Sequence, residues 1–122
     1  MYELTVEREF SAAHLMRGYE GACARLHGHN YRVLLTVEGD DLDERGMLMD
    51  FAELKREFDG VLDELDHRNL NEIPPFDAVN PSSEHLARYL FGRMRRVIGD
   101  TARVSRITIY ESATSSVTYR EG

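Results

Sequence analysis

Three histidines, His14, His27 and His29, are the side chains with the types and spacing to act together. His27-Gly28-His29 leads directly into a segment that alternates apolar and polar residues. Residues two apart on an extended chain point the same way, so both imidazoles can reach one point. His14 has the parity of the apolar face of an earlier alternating segment and sits just past its end. Neighbouring strands lie about 5 Å apart, which lets a third imidazole join the pair. Three neutral ring nitrogens with a fourth position left open is the arrangement of a catalytic zinc site. A structural site closes that position with protein, usually with Cys. Taken singly, each of these histidines reads equally as a surface residue or a hydrogen-bonded core residue.

Cys23 stands four residues before His27. It could close the metal site as a fourth ligand, or sit beside an open one as a base or nucleophile. A nearby Zn²⁺ and Arg25 would both favour the thiolate. Spacing leaves both roles open, along with the ordinary one of a small buried apolar residue. Asp66-His67 sets a carboxylate beside an imidazole, which can orient the ring and raise its pKa. The simpler alternative is a helix C-terminal histidine favoured by the dipole. Glu111 shares parity with Ile107 and Ile109. A carboxylate on an apolar strand face is costly unless paired. It could accept two hydrogen bonds from a planar amino-pyrimidinone edge; otherwise the strand ends there and Glu111 is in water.

The elements that must position these groups are visible as periodicity. Tyr2, Leu4, Val6, Phe10 and Ala12 share one face of a first strand, and Tyr31, Val33, Leu35 and Val37 one face of a second. Residues 15–26 between them form a loop. After Asp50, the stripe Phe51, Leu54, Phe58, Val61, Leu62 and Leu65 predicts a helix, with Asp50 and Glu53 as a capping-box-like pair. Residues 69–80, with Pro74-Pro75, form a connection. Asn80 as N-cap and Pro81 as first helical position start a second helix, with Leu86, Leu90, Met94 and Val97 buried and Gly99 ending it. Val104 to Ser112, then Val117 and Tyr119, supply two last strands. The expectation is an α+β layer of four antiparallel strands with two helices on one face, inserted between strands two and three.

The chain has 122 residues, 42% apolar and 30% charged, the profile of one ordinary globular domain spanning 1–122. Its net charge of −7 argues against general affinity for nucleic acid or anionic membrane, though a local cation can still bind a small anion. No apolar run approaches the ~18 residues of a membrane span. One cysteine cannot form an intrachain disulfide. Acids near Met1 stand where a secretory signal needs a basic start, so the expected location is the cytosol.

Together these residues resemble the 6-pyruvoyl-tetrahydropterin synthase family. The resemblance runs from Phe10-Ser11-Ala12-Ala13-His14 to Tyr110-Glu111-Ser112. Between lie Cys23-x3-His27-Gly28-His29, Met49-Asp50-Phe51, Leu65-Asp66-His67-Arg68-Asn69-Leu70-Asn71 and Asn80-Pro81-Ser82-Ser83-Glu84. It implies the T-fold, with sheets joined into trimeric barrels that stack as a homohexamer and active sites between subunits. It implies zinc on His14, His27 and His29, catalysis by Cys23 with Asp66 and His67, a pterin ring anchored by Glu111, and a pocket lined by Ser83 and Glu84. The short Cys-x3-His-Gly-His spacing is similar to the 6-carboxytetrahydropterin synthase branch of queuosine biosynthesis. That branch converts 7,8-dihydroneopterin triphosphate to 6-carboxy-5,6,7,8-tetrahydropterin, acetaldehyde and triphosphate. The Ser112–Ser116 loop departs from the family's common Glu-Thr sequence after Glu111. The alternatives are the branch that stops at a 6-pyruvoyl product, and a pterin- or zinc-binding protein without turnover. Cys23, Asp66 and His67 speak against the last, since a binder needs only the metal and Glu111.

Overall fold

The computed structural model describes residues 1–122. Strand β1 (Tyr2–His14) pairs antiparallel with β2 (His27–Gly39) over its whole length, from Tyr2 opposite Gly39 to His14 opposite His27. Helix α1 (Phe51–Leu62), the short strand β3 (Arg68–Asn69) and helix α2 (Ser83–Ile98) follow, then β4 (Arg103–Ser112) and β5 (Ser115–Tyr119). The sheet order is β3-β1-β2-β4-β5.

The sheet therefore has five strands and not the expected four. The extra strand is two residues long and runs parallel to Ala12-Ala13 of β1. His67 creates it: its left-handed backbone (φ 59°) turns the chain after Asp66 and lays Arg68-Asn69 along the edge. Two residues carry no periodicity, so alternation could not reveal this strand.

Burial follows the predicted faces except at the first residue of β1, Tyr2, which is 50% exposed. Val6, Phe10 and Ala12 of β1 and Tyr31, Val33, Leu35 and Val37 of β2 face the helices. They join Leu54, Phe58, Leu86, Leu90, Met94, Ile107 and Ile109 in one continuous apolar cluster. On β4, Val104 and Ile107 have opposite parity yet both are buried. Pairing skips from Thr36–Arg106 to Val37–Val104, so Ser105 is an extra residue that reverses the alternation.

Both helices differ from expectation at their starts. Asp50 caps α1 by accepting from the Ala52 N–H, but Glu53 stays exposed and completes no capping box. Phe51 is 54% exposed and lies outside the buried stripe, which begins at Leu54. Helix α2 starts at Ser83, capped by the Ser82 hydroxyl, not at Asn80-Pro81. Asn80 is engaged elsewhere, by the loop after β1. At the other end Ile98 is buried in place of Val97, which is 36% exposed. Gly99, at φ 61°, ends the helix in a backbone conformation that side-chain-bearing residues rarely adopt. His85 in the first turn of this helix is half-buried and donates from Nδ1 to the Asn80 carbonyl.

Candidate metal centre and active site

The β1–β2 register assembles the histidines. His14 ends β1 directly opposite His27, and His29 lies one alternation further along β2. The three ring centroids are 4.7, 4.8 and 5.0 Å apart, with rings nearly edge to face. His14 is 1% exposed and donates from Nδ1 to the Pro81 carbonyl at 2.8 Å. His27 donates from Nδ1 to the Arg25 carbonyl at 2.7 Å. Such bonds fix the tautomer and leave Nε2 as a free lone pair, as in histidines that bind metals. The buried Nε2 atoms of His14 and His29 have no hydrogen-bond partner. Unsatisfied buried nitrogens are rare and need an occupant. Burial holds the His29 imidazole below its ordinary range; Glu111 opposes this, while His14 and His27 reinforce it. A neutral ring is the state that can ligate.

Glu111 belongs to the same cluster. Its Oε1 lies 3.0 Å from His29 Nε2 and 3.5 Å from His14 Nε2, out of hydrogen-bond alignment. Ligating atoms of His14, His27, His29 and Glu111 all fall within 4.8 Å of one another, a group able to hold a metal ion. A second bulge delivers this side chain. Pairing passes from Tyr110–Ser116 to Ser112–Ser115, so Glu111 has no opposite residue on β5. Its other oxygen accepts from the buried Ser83 hydroxyl at 3.2 Å. Tyr31, stacked on Phe10 with its hydroxyl 3.3 Å from His14 Nδ1, has its phenol pushed well up by burial and then by Glu111.

Cys23 is exposed, in the loop after β1. It lines a cleft of about 200 Å³ with His14, Tyr19, Ser83, Glu84 and Glu111. Its sulfur is not a member of the metal-capable group, whose fourth member is Glu111. Cys23, Ser83, Glu84 and Glu111 thus share one cleft with His14.

Asp66 and His67 are paired but stand apart. Asp66 accepts from the Ser11 N–H at 2.9 Å through Oδ1, and its Oδ2 meets His67 Nδ1 at 2.9 Å. The Ser11 bond first, and then the imidazole, hold the carboxyl below the usual carboxylate range. His67 also donates its backbone N–H to the Ser11 carbonyl at 2.5 Å. Its ring is 80% exposed and borders a different cleft, of about 460 Å³, with Ser11, Asn30 and Arg68. His29 is the cluster residue that reaches this cleft. One chain alone does not bring Cys23 and His67 to a shared cavity.

The sequence reading did not include the backbone carbonyls of Arg25 and Pro81 or the Tyr31 hydroxyl. A carbonyl leaves no mark on residue type, and Tyr31 read as an ordinary core position.

Fold and site together define an α+β protein that carries a three-histidine, one-glutamate cluster at the mouth of its sheet. Comparison with known proteins narrows this class. The family profile described as 6-pyruvoyl tetrahydropterin synthase matches residues 3–122, and the chain belongs to that family. Among curated relatives, the 6-carboxy-5,6,7,8-tetrahydropterin synthase of Bacillus subtilis is 34% identical over 128 residues, covering 98% of this chain and 85% of that protein. The dihydroneopterin monophosphate aldolase of Pyrococcus furiosus is 37% identical over 102 residues, covering 84% and 82%. The solved structure of Caenorhabditis elegans 6-pyruvoyl tetrahydropterin synthase superimposes with a TM-score of 0.85 at 33% identity, covering 100% of this chain and 98% of that one. No helix is long and apolar enough to cross a membrane.

Proposed function

We propose that the protein is a zinc-dependent lyase. It converts 7,8-dihydroneopterin triphosphate and water to 6-carboxy-5,6,7,8-tetrahydropterin, acetaldehyde and triphosphate, a step toward queuosine. The observation that carries the reading is the convergence of the three imidazoles, two of them tethered at Nδ1, beside Cys23 and Glu111. An all-imidazole donor set with orphaned Nε2 atoms fits zinc. When bound by His14, His27 and His29, the ion supplies Lewis acidity to the hydroxyls of the substrate side chain.

The chain's own residues do the rest. Glu111, held by Ser83, accepts from the amino-pyrimidinone edge of the pterin and fixes the ring. Ser83 and Glu84 line its pocket. Cys23 as thiolate removes a proton from the side chain. His67, oriented by Asp66, exchanges the second proton. Because His67 opens to a separate cleft, a second copy of the chain completes the site. The open edges of β5, and of β1 beyond the short β3, support pairing of copies into the homohexamer of the family. The relatives named 6-carboxy-5,6,7,8-tetrahydropterin synthase, in Bacillus subtilis and elsewhere, support this product.

The Pyrococcus relative favours a second reading, aldol cleavage of a dihydroneopterin monophosphate with the phosphate retained on the released fragment. Replacing Cys23 with Ala tests the first. Turnover of the triphosphate should be lost while one zinc per chain is retained. Loss of zinc would make Cys23 a ligand; full turnover would remove it from the mechanism.

A further inference from the structure

We propose that Asn71 and Asn80 are positioning residues that hold the Cys23 loop; the link to catalysis rests on the functional reading above. Every residue from Arg17 to Leu26 except Ala24 is exposed, and none is buried. No core contact therefore orders this loop, and a segment without burial opens locally at low cost. Two amides take the place of that missing packing.

Asn71 accepts from the Leu15 N–H at 2.9 Å and donates to the Leu15 carbonyl at 3.1 Å. Asn80 accepts from the Arg17 N–H at 2.9 Å and donates to the Arg17 carbonyl at 2.9 Å. Each side chain thus bonds both backbone groups of one residue, as a neighbouring strand would. Leu15 and Arg17 are two apart and present their backbone groups to the same side. Met16 between them presents its N–H to the other side, where it donates to the Cys23 carbonyl at 2.8 Å. The other bonds to the backbone of residues 18–25 are local, from Ala24 to Gly21, from Arg25 to Ala22, and from the His27 ring to the Arg25 carbonyl. The amides fix Leu15 and Arg17, and Met16 transmits that position to Cys23.

The two amides are anchored in turn. Asn71 donates its backbone N–H to the Asn69 side chain at 3.1 Å. The Asn80 carbonyl accepts from His85 at 2.7 Å. The Arg17 guanidinium adds a bond to the Phe76 carbonyl at 2.5 Å. Metal binding should survive loss of the clamp: the Pro81 carbonyl holds His14 from outside the loop, and at partly exposed His27 water can replace the loop carbonyl of Arg25.

The test uses Asn71→Asp, Asn80→Asp and the double variant in the full-length, zinc-loaded protein. Asp keeps the shape and one acceptor but removes the N–H donor. Trypsin cleavage after Arg17 and Arg25 should be at least about tenfold faster in the double variant, with a cooperative melt and zinc content unchanged. With 7,8-dihydroneopterin triphosphate, kcat should fall by about ten- to a hundredfold, the scale of a small misplacement of a reacting group. KM should change by less than about threefold, because ring binding rests on Glu111. If the double variant does not fold, the single variants give the same readouts. Unchanged cleavage overturns the clamp, and faster cleavage with unchanged kcat overturns its role in positioning Cys23. If the wild-type protein turns over no pterin phosphate, the functional reading fails, and the proteolysis result alone still decides whether the amides hold the loop.

Discussion

Replacing His14 and His27 in turn should separate metal binding, the role proposed for both histidines, from a structural tether that matters mainly at His14. His14 is buried and its Nδ1 satisfies the carbonyl of the buried Pro81. In His14→Ala that carbonyl is stranded, at a cost of about 1–3 kcal/mol. The lost ring adds a cavity cost of about 1–2 kcal/mol if the site relaxes in part. The total, roughly 2–5 kcal/mol, corresponds to a fall in Tm of about 8–20 °C for a chain of this size. His27 is partly exposed, and its carbonyl partner belongs to exposed Arg25, where water can replace the ring. His27→Ala should therefore cost less than about 1 kcal/mol. The assay is thermal melting in chelator, paired with zinc per chain after reloading. Both variants should lose zinc, while the metal-free melts differ by at least about 5 °C. His14→Asn, whose amide can still reach the Pro81 carbonyl, should regain part of the stability and none of the metal. Equal metal-free melts for the two alanine variants would refute the tether, and full zinc retention in either would refute the ligand set.

Glu111→Gln should lose pterin binding while zinc affinity drops by no more than about tenfold, the effect of changing a neighbour of the ligands. A loss as large as that of His29→Ala would make Glu111 a ligand. Asp66 has a folded-state pKa below its unfolded value, so its contribution to stability is complete above about pH 4 and is lost as pH falls through the lower folded value. Asp66→Asn should flatten that acid limb in melts taken below about pH 4 and leave the slope above it unchanged.

Much of the fold was legible because alternation and helical spacing report burial directly. Val6, Phe10, Val33, Leu35, Leu54 and Leu90 are buried as their periods require. The histidine cluster was legible for the same reason: His27 and His29 share a face, and His14 has the parity of the apolar face of β1. What could not be read depends on partners distant in sequence. Asn80 is a sound N-cap by local rules, but it bonds Arg17 across the loop, and Ser82 caps the helix instead. Phe51 fits the stripe by spacing, yet it lies over a surface groove beside Tyr2 and Met47. The bulges at Ser105 and Glu111 leave residue types untouched, so nothing in composition marks them. The second bulge placed Glu111 among the imidazoles, a position that parity hinted at but did not specify. The separation of His67 from Cys23 is a property of one chain's geometry and has no signature in either residue's neighbours.

The most direct test of the account is to identify by mass the products formed when zinc-loaded protein is given 7,8-dihydroneopterin triphosphate. The expected products are 6-carboxy-5,6,7,8-tetrahydropterin, acetaldehyde and free triphosphate in equal amounts. A 6-pyruvoyl product without acetaldehyde, or a cleaved side chain that keeps its phosphates on the released fragment, would contradict it.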